Sequence, residues 1–368
     1  MRRSPGGFTI IELMVGSAVT FVTVLAVTAA FLGYTQAFHV QAGIRGGQAS
    51  LRQTHQLVVR NLRMAGYGME PERAFDLPPD WNIDPLRHQL VFRMRNPRFN
   101  ARVAALTTST LTLSAGLSES LLRGQILQVL CPGAVVWSYA QLKTDAPAGA
   151  TQVELEAPTG TFPRLNEFSS SCFKALGGGA VVHLYKIDVF HYTIHEIDED
   201  GNPATPGRPY LFRRHGLAEQ DSNAFGEPVA EDIEALRAVF LRDDGTSFVP
   251  NLSAPAPDYD TPLDDARRKS DHPGNIRAVR LGLVARTSTR DAAAGPDRLD
   301  AIPPFADLTV PTPLPKELAG FRRLVSEVTV PIRNMYSSEM FVPIYSKDSA
   351  PGACNGSLPV DEFNCAGG

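Results

Sequence analysis

The chain has 368 residues, of which 43% are hydrophobic and 20% are charged, and its formal net charge is −4. This composition is that of an ordinary folded protein, so it excludes a chain that is disordered throughout. A nucleic-acid-binding protein usually carries a basic face or a high pI, so the acidic balance predicts no nucleic-acid partner.

An apolar segment near the N-terminus is the first predicted element. Between Phe8 and Leu32 the only ionisable side chain is Glu12. A helix of this length, at about 1.5 Å per residue, matches the roughly 30 Å hydrocarbon core of a bilayer. Arg2 and Arg3 precede the segment, and the positive-inside tendency keeps such an N-terminus in the cytoplasm. The sequence therefore predicts a single membrane-spanning helix with the rest of the chain across the membrane.

A cleaved secretory signal and a plain membrane anchor are the alternatives for this segment. A secretory signal has an apolar core of about 7–15 residues, followed by small residues at its cleavage site. Here the apolar run is longer, and its clearest pair of small residues, Gly6 and Gly7, comes before it. A plain anchor leaves Glu12 unexplained, because a carboxylate inside a membrane is costly unless a positive group pairs with it.

The sequence Gly7-Phe8-Thr9-x-x-Glu12, followed by an apolar helix, resembles the class III signal of type IV pilins and pseudopilins. The resemblance implies that a prepilin peptidase removes residues 1–7 by cutting between Gly7 and Phe8. It also implies that the new amino group of Phe8 is methylated. Glu12 would then pair with the amino terminus of a neighbouring subunit during filament assembly.

The helix is predicted to continue beyond the membrane as an amphipathic segment, residues 33–68. Its apolar residues follow spacings of 4, 7, 7 and 4, which place them on one helical face. They are Val40, Ile44, Leu51, Val58 and Leu62. Three glycines, Gly43, Gly46 and Gly47, weaken this stretch by about 1 kcal/mol each relative to alanine. Two interpretations stay open: the helix bends or frays there, or a neighbouring helix packs closely against the glycines.

The helix is predicted to end where two glycines and a proline follow Leu62. Gly66 or Gly68 can adopt the left-handed conformation that closes helices, and Pro71 prevents continuation. This helix end is similar to that of the PilW family of minor pilins and, less closely, to that of the J-type minor pseudopilins of type II secretion. The residues that carry the similarity are Leu62, Arg63, Ala65, Gly66 and Tyr67.

Residues 69–342 are predicted to form a β-rich head, because the hydrophobic period changes from about 3.6 to 2 beyond Pro85. Short β-prone runs separated by Gly, Pro, Asn or Asp are typical of an antiparallel sheet. The predicted strands span residues 89–95, 110–114, 125–130, 135–139, 152–156, 180–195, 210–213, 233–241, 276–286 and 326–333. Residues 197–202 form the predicted turn between two of these strands.

Three stretches rich in Pro, Asp, Ala or Gly are predicted to be loops rather than core. They are residues 251–274, 291–316 and 343–368. Long loops on a β-rich head often carry partner contacts. Partly disordered insertions have the same composition, so both interpretations stay open.

The head extends the resemblance to the PilW family, whose pattern is an acidic-hydrophobic strand followed by a final Arg-Asn pair. Three segments stand here in that order: residues 232–236, residues 279–286, and residues 328–334 ending in Arg333 and Asn334. The resemblance covers Phe8 to about Asn334, and the chain departs from the pattern in its long loops and in its tail. It implies a pilin-like α+β fold, with a long N-terminal helix whose first half, residues 8–32, lies in the membrane.

Four cysteines, Cys131, Cys172, Cys354 and Cys365, follow the membrane segment and are therefore predicted to lie in an oxidising compartment. An even number without a Cys-x-x-Cys pattern favours disulfides over zinc, and four cysteines allow three pairings. A bridge between Cys354 and Cys365 would close a loop of about a dozen residues and stabilise the tail, residues 343–368, by roughly 3 kcal/mol. That loop resembles the C-terminal disulfide loop of many pilins. It leaves Cys131 to pair with Cys172, while the other pairings stay open.

No enzyme activity, cofactor or metal is predicted. The sequence has no Gly-x-Ser-x-Gly elbow, no phosphate-binding loop and no His-Glu-x-x-His motif. His191 and His195 share a face of a predicted strand, so a metal site is geometrically possible there. A structural role is more usual for such a pair. Residues 198–202 carry oxygen ligands without the spacing of an EF-hand loop, so they are predicted to be a polar hairpin turn.

Resemblance to the PilW family implies a structural subunit, a low-abundance minor pilin that helps to initiate type IV pilus assembly. Its implied partners are the other minor pilins, the major pilin, a tip adhesin, the prepilin peptidase/methyltransferase and the inner-membrane assembly platform. The implied location is the bacterial inner membrane with the head in the periplasm, and after assembly the extracellular pilus tip. Two alternatives remain: a J-type minor pseudopilin of type II secretion, and a surface pilin whose head binds a ligand.

Overall fold

A computed structural model describes residues 9–77, 84–131, 138–158, 165–168, 170–199, 201, 207–215, 226–243, 245–249, 273–291 and 300–336. These residues form one long helix, two short helices and sixteen strands. A long apolar helix followed by an antiparallel β head confirms the predicted α+β fold.

The long helix, α1 (Ile10–Leu62), is unbroken and about 80 Å long at 1.5 Å per residue. Its C-terminal half packs on the head through one face, as the amphipathic pattern predicted. The buried residues of that face are Gly47, Leu51, Thr54, Val58, Val59, Asn61 and Leu62. Val40 and Ile44, which the pattern placed on the same face, are only half-buried because they lie at the margin of this contact.

The sixteen strands form three sheets, and all named strand pairs are antiparallel. The strands are β1 (Phe75–Asp76), β2 (Leu90–Arg95), β3 (Ala101–Leu106), β4 (Thr110–Leu113), β5 (Ile126–Leu130), β6 (Ser138–Gln141), β7 (Gln152–Glu154), β8 (Val182–Ile197), β9 (Arg208–His215), β10 (Glu227–Glu231), β11 (Ile233–Arg242), β12 (Ser247–Phe248), β13 (Ile276–Arg286), β14 (Ala301–Ile302), β15 (Thr312–Pro313) and β16 (Arg323–Pro331). The short helices are α2 (Ser170–Gly177) and α3 (Arg333–Tyr336).

The first sheet contains β1 to β10 and is built around β8, a strand of 16 residues. β8 pairs with β2, β3, β5 and β9 along different parts of its length. The second sheet has the order β12-β11-β13-β16, and β14 pairs with β15 in a third, two-stranded sheet. α1 packs on β13 and β16 of the second sheet and on β10 of the first.

Two separate apolar clusters hold the head together. The first joins the buried face of α1 to both larger sheets, and its members include Leu62, Phe92, Tyr192 and Leu283. The second lies within the first sheet beside α2 and includes both Cys131 and Cys172. The helix is therefore anchored to one cluster, while the disulfide belongs to the other.

Every predicted strand overlaps an observed one, although residues 135–137 lie outside the described residues. β3 was not predicted, because its sequence Ala-Arg-Val-Ala-Ala-Leu is rich in the helix-forming residue alanine. It forms a strand because β4 and β8 supply hydrogen-bonding partners on both of its edges. Tertiary pairing overrides local propensity there.

The described part of the predicted loop 291–316, which is Asp291 and residues 300–316, is mostly irregular, but two of its side chains belong to the core. Ile302 and Phe305 are fully buried and pack with Ala235 and Val284 on the face of the second sheet away from α1. Gly282 makes room for this layer, since a Cβ at that position would lie 3.1 Å from the Cβ of Ala306. Of the other two predicted loops, residues 251–272 and 343–368 lie outside the described residues.

The three glycines of α1 do not interrupt the helix, and they differ in what surrounds them. A Cβ on Gly47 would lie 3.1 Å from Leu324 Cδ1 in β16, and one on Gly43 would lie 3.6 Å from Thr287 Cβ. A Cβ on Gly46 would meet nothing within 4 Å. Gly47 thus allows close packing against β16, whereas Gly43 is in ordinary contact with Thr287, which follows β13, and both neighbours belong to the same chain.

Substituting these glycines separates packing from helix propensity. We expect Gly46→Ala to raise the free energy of unfolding by about 0.5–1 kcal/mol, because alanine favours the helix and its methyl group meets no neighbour. Gly47→Ala is expected to raise the free energy of unfolding by less than Gly46→Ala does, or to lower it, because Leu324 must move by a few tenths of an ångström. Urea unfolding of the full-length chain in detergent micelles checks both, and equal gains would contradict close packing at Gly47.

A disulfide joins Cys131, which follows β5, to Cys172 in α2. The two residues are 41 positions apart in sequence and both are buried. This is the pairing that remained after the tail cysteines were assigned to each other. Cys354 and Cys365 themselves lie outside the described residues.

Removing this disulfide is expected to destabilise the second apolar cluster. Replacing Cys131 and Cys172 together by serine should lower the free energy of unfolding by about 4 kcal/mol, from loop entropy for a loop of this length. The measurement is urea unfolding of wild type and double variant without reductant. Adding reductant should lower the free energy of unfolding of the wild type to that of the variant. Equal free energies of unfolding without reductant would contradict a structural role for the disulfide.

Candidate functional site: the N-terminal helix and its junction with the head

Glu12 lies at the N-terminus of α1 and caps its own helix. Its Oε2 accepts hydrogen bonds from the amide of Thr9 and from Thr9 Oγ1, both at 3.0 Å. The amide of Glu12 donates in return to Thr9 Oγ1 at 3.3 Å. This reciprocal arrangement is a capping box, which satisfies two amides that have no partner inside the helix. Glu12 is therefore held with its carboxylate at the first turn.

The first part of α1 exposes a continuous apolar surface. Its large side chains from Ile10 to Leu32 are solvent-exposed on all sides of the helix, and Tyr34 and Phe38 extend this surface. Among the described residues, α1 is the one helix long and apolar enough to cross a bilayer, with a mean hydropathy of 2.2 over 18 residues that are not buried at all. This surface fits a single membrane anchor, since the head covers none of it.

The C-terminal end of α1 is closed by a residue from the far end of the chain. Asn334 Nδ2 donates to the carbonyl oxygens of Arg63, at 3.3 Å, and Ala65, at 3.1 Å. Carbonyls at a helix C-terminus have no partner within the helix, so an outside donor satisfies them. Gly66 turns the chain here with φ +74°, and a Cβ at this position would lie 3.1 Å from Met335 Sδ. The helix end and the final Arg-Asn pair therefore meet in one junction.

The hydrogen bonds of Asn334 predict a measurable loss of stability at this junction. Asn334→Ala removes both bonds and is expected to lower the free energy of unfolding by about 1–2 kcal/mol. Arg333→Ala is the matched control, because Arg333 is exposed and such surface changes stay within about 0.5 kcal/mol. Urea unfolding compares the two variants, and equal effects would contradict the capping role of Asn334.

The other family-like segments of the head lie side by side in the second sheet. Residues 232–236 begin β11, residues 279–286 belong to β13, and residues 328–331 end β16. β13 lies between the other two strands. Three segments that are far apart in sequence therefore form one surface, and α1 packs across it.

Two acidic residues at the start of β11 tie this sheet to its neighbours. Asp232 has φ +60° and receives two hydrogen bonds from the guanidinium of Arg208 in β9, at 3.0 and 2.6 Å. Glu234 receives two from Arg323 at the start of β16, at 2.6 and 3.0 Å. Asp232 thereby joins the first sheet to the second, and Glu234 joins β11 to β16 across β13.

The histidine pair in β8 has a structural environment. His191 Nε2 lies 2.8 Å from Gln89 Oε1, and the ring of His195 packs edge-on against Phe212. Burial, together with the nearby Arg214, lowers the pKa of His191 to about 4, so its ring is neutral at neutral pH. In the part of the chain that the structure describes, no three His, Cys, Asp or Glu residues are grouped to hold a metal.

The predicted polar turn joins β8 to β9. Gly201 has φ +68°, and its amide donates to Asp198 Oδ1 at 2.8 Å. Ile197 pairs with Arg208 at the base of the hairpin. The acidic side chain at Asp198 thus closes the turn through the backbone, which is the usual role of Asp in turns.

The predicted processing residues, Gly7 and Phe8, lie outside the described residues. Glu12 lies in the first turn of α1, and its partner Thr9 was not among the predicted site residues. The signal was present, since Thr followed three residues later by Glu before an apolar run is typical of a capping box. Arg208 and Arg323 were also missed, and no local signal marks them, because their partners lie 24 and 89 residues away.

Comparisons with known proteins give little further information. No protein-family model matches the chain, and no curated protein matches it. Among solved structures, a type IV-like pilin from Thermus thermophilus is similar, with 16% identity and a TM-score of 0.20. The alignment covers 58% of this chain and 85% of that one. An identity and a TM-score this low do not assign the chain to a family.

Proposed function

We propose that this chain is a minor pilin, a membrane-anchored structural subunit that enters a type IV pilus through its N-terminal helix. The observation that carries the proposal is the uncovered part of α1. Over about 35 Å, from Ile10 to Leu32, the helix exposes apolar side chains all round, with Glu12 as its only ionisable group. Such a surface needs lipid before assembly or neighbouring helices after it.

The proposed mechanism uses the charge of Glu12. Its Oε2 accepts both hydrogen bonds from Thr9, and a carboxylate has capacity for further donors. Cleavage between Gly7 and Phe8 would give each subunit a positively charged amino terminus. Pairing of Glu12 with the amino group of Phe8 in a neighbouring subunit would offset the cost of a carboxylate in an apolar environment. Leaving the bilayer would then be favourable only where a neighbour is present.

The proposed place of the subunit is the pilus tip. The similarity of its helix end and of β11, β13 and β16 to the PilW pattern supports a role in initiating assembly with other minor pilins and a tip adhesin. Before assembly, the head would lie in the periplasm and the helix in the bacterial inner membrane. There the prepilin peptidase/methyltransferase, the assembly platform and the major pilin would be its partners.

Mass spectrometry of filaments sheared from the cell surface tests this proposal. We expect trace amounts of the chain in the filaments, with an N-terminal peptide that begins at methylated Phe8. A processed chain found only in the membrane would instead favour a secretion pseudopilin. An uncleaved N-terminus would overturn the assignment to pilins altogether.

A further inference from the structure

β16 is an open edge of the second sheet. It pairs with β13 over nine consecutive residue pairs without a register shift. Within the part of the chain that the structure describes, no strand pairs with its other side. Val325 is 37% exposed, and Glu327, Thr329 and Pro331 are exposed as well. The strand therefore offers a long, straight and accessible edge.

The hydrogen bonds at both ends of the β13–β16 ladder show which backbone groups point away from β13. The amide of Thr287 donates to the carbonyl of Arg322, and the amide of Ile332 donates to the carbonyl of Arg277, both at 2.9 Å. Residues of an antiparallel strand alternate between the two sides. Even-numbered residues of β16 thus bond to β13. The odd-numbered Val325, Glu327 and Thr329 direct their amides and carbonyls to the open side.

This edge has less protection than other edges of the molecule, with Glu327 as the one exposed charged residue along the strand. Monomeric proteins blunt exposed edges with short strands, bulges, prolines or charges. β1, β7 and β12 have only two or three residues each. β10 is five residues long and carries Pro228, a glutamate at each end and a register shift. β16 has nine residues and no shift, and its proline stands at the last position.

We propose that the open edge of β16 binds an extended strand of a neighbouring subunit, which becomes the fifth strand of the second sheet. The inference rests on the proposed function, because it places the chain beside other subunits in a filament. Strand addition of this kind obtains affinity from backbone hydrogen bonds and specificity from alternate side chains. It supplies a contact between heads in addition to the contact between helices.

A second copy of β16 cannot pair with it in the antiparallel sense that the other strands of this sheet use, because of the direction in which the strand runs. β16 runs along α1 from the membrane side upward: Leu324 lies against Gly47, and Ser326 Oγ lies 2.8 Å from His55 Nδ1. Copies in one membrane therefore present β16 in the same direction. Antiparallel pairing of two β16 strands would require one inverted copy, so an antiparallel partner strand comes from a different segment.

The two faces of β16 define the chemistry of that strand. Leu324 and Val328 pack against the cluster under α1, so residues of the partner on this side are expected to be apolar. Glu327 lies on the opposite face, where it accepts a hydrogen bond from the amide of Ala306 at 2.8 Å. A lysine or arginine of the partner beside Glu327 would be favourable. The partner strand should therefore alternate apolar and polar residues, with a basic residue among the latter.

Hydrogen exchange of single amides in the full-length chain tests the proposal. The chain is measured in detergent micelles alone and in sheared filaments that contain it. We expect the amides of Val325, Glu327 and Thr329 to exchange at least about tenfold more slowly in filaments, while Ser326 and Val328 stay protected in both states. Unchanged exchange in filaments would overturn the inference and leave the proposed function standing. Protection in micelles would also overturn it, because the chain would then cover its own edge.

Incorporation into filaments gives a second readout. Thr329→Pro removes the edge amide at a position where an edge strand tolerates proline, whereas Thr329→Val keeps the amide and serves as the matched control. We expect the ratio of filament-bound to membrane-bound chain to be about fivefold or more lower for the proline variant than for wild type. The ratio for the valine variant should equal that of wild type. Equal incorporation of both would overturn the inference. Absence of the wild type from filaments would overturn the proposed function and this inference with it.

Discussion

Glu12→Gln is expected to remove the chain from sheared filaments while leaving it in the membrane. Glutamine keeps the side-chain oxygen that accepts from Thr9, so the capping box and the helix start are retained. It carries no charge, so a positive amino terminus of a neighbour has no counter-ion in the apolar filament core. Hydrogen bonds to charged groups are stronger than those between neutral groups. We therefore expect the ratio of filament-bound to membrane-bound chain to fall at least about tenfold. Quantitative mass spectrometry of filament and membrane fractions measures the ratio.

Thr9→Ala is the matched control for this prediction. It removes the hydroxyl of the capping box, at a cost of about 1 kcal/mol to the helix start, but leaves the charge of Glu12 in place. We expect it to enter filaments at close to the wild-type level. Normal incorporation of Glu12→Gln would contradict the charge-pair mechanism and reduce Glu12 to a helix cap. An equal loss in both variants would show that the cap itself is what assembly requires.

Arg323→Ala is expected to produce the largest loss of stability, about 3–5 kcal/mol. The side chains of Arg323 and Glu234 are each only 3% exposed and are joined by two hydrogen bonds. The substitution leaves the buried carboxylate of Glu234 without its two hydrogen bonds from Arg323, with Arg286 as the nearby cation, and it also removes a donor to the carbonyl of Leu318. Urea unfolding of the full-length chain in detergent micelles, followed by circular dichroism, measures the change.

Two further variants show whether burial causes this effect. Glu227→Gln breaks the pair with Arg213 in which Glu227 is 65% exposed, and it should cost less than about 1 kcal/mol. Replacing Arg323 by Met and Glu234 by Leu together should recover part of the loss, because both members of the hydrogen-bonded pair are removed and the buried Arg286 keeps Asp232 at 3.8 Å. A loss below about 1 kcal/mol for Arg323→Ala would contradict a structural role for the buried pair.

The sequence alone determined the features that depend on neighbouring residues. The span of α1 follows from its apolar run and from a helical period that continues to Leu62. The hairpin between β8 and β9 follows from alternation and from turn chemistry at Gly201. The Thr9–Glu12 cap is equally local, because Thr followed three residues later by Glu is enough to predict it. Periodicity, turns and caps are fixed within a few residues, so they can be read without the fold.

The contacts that join these elements come from residues far apart in the chain. Nothing near Asn334 indicates that its side chain closes a helix 269 residues earlier, and nothing near Glu234 indicates Arg323. The neighbours of Gly43 and Gly47 are Thr287 and Leu324, which come from distant parts of the chain, and β3 became a strand through its partners. These outcomes depend on which distant segments meet, and contacts between distant segments are set by burial and pairing across the whole chain rather than by local propensity.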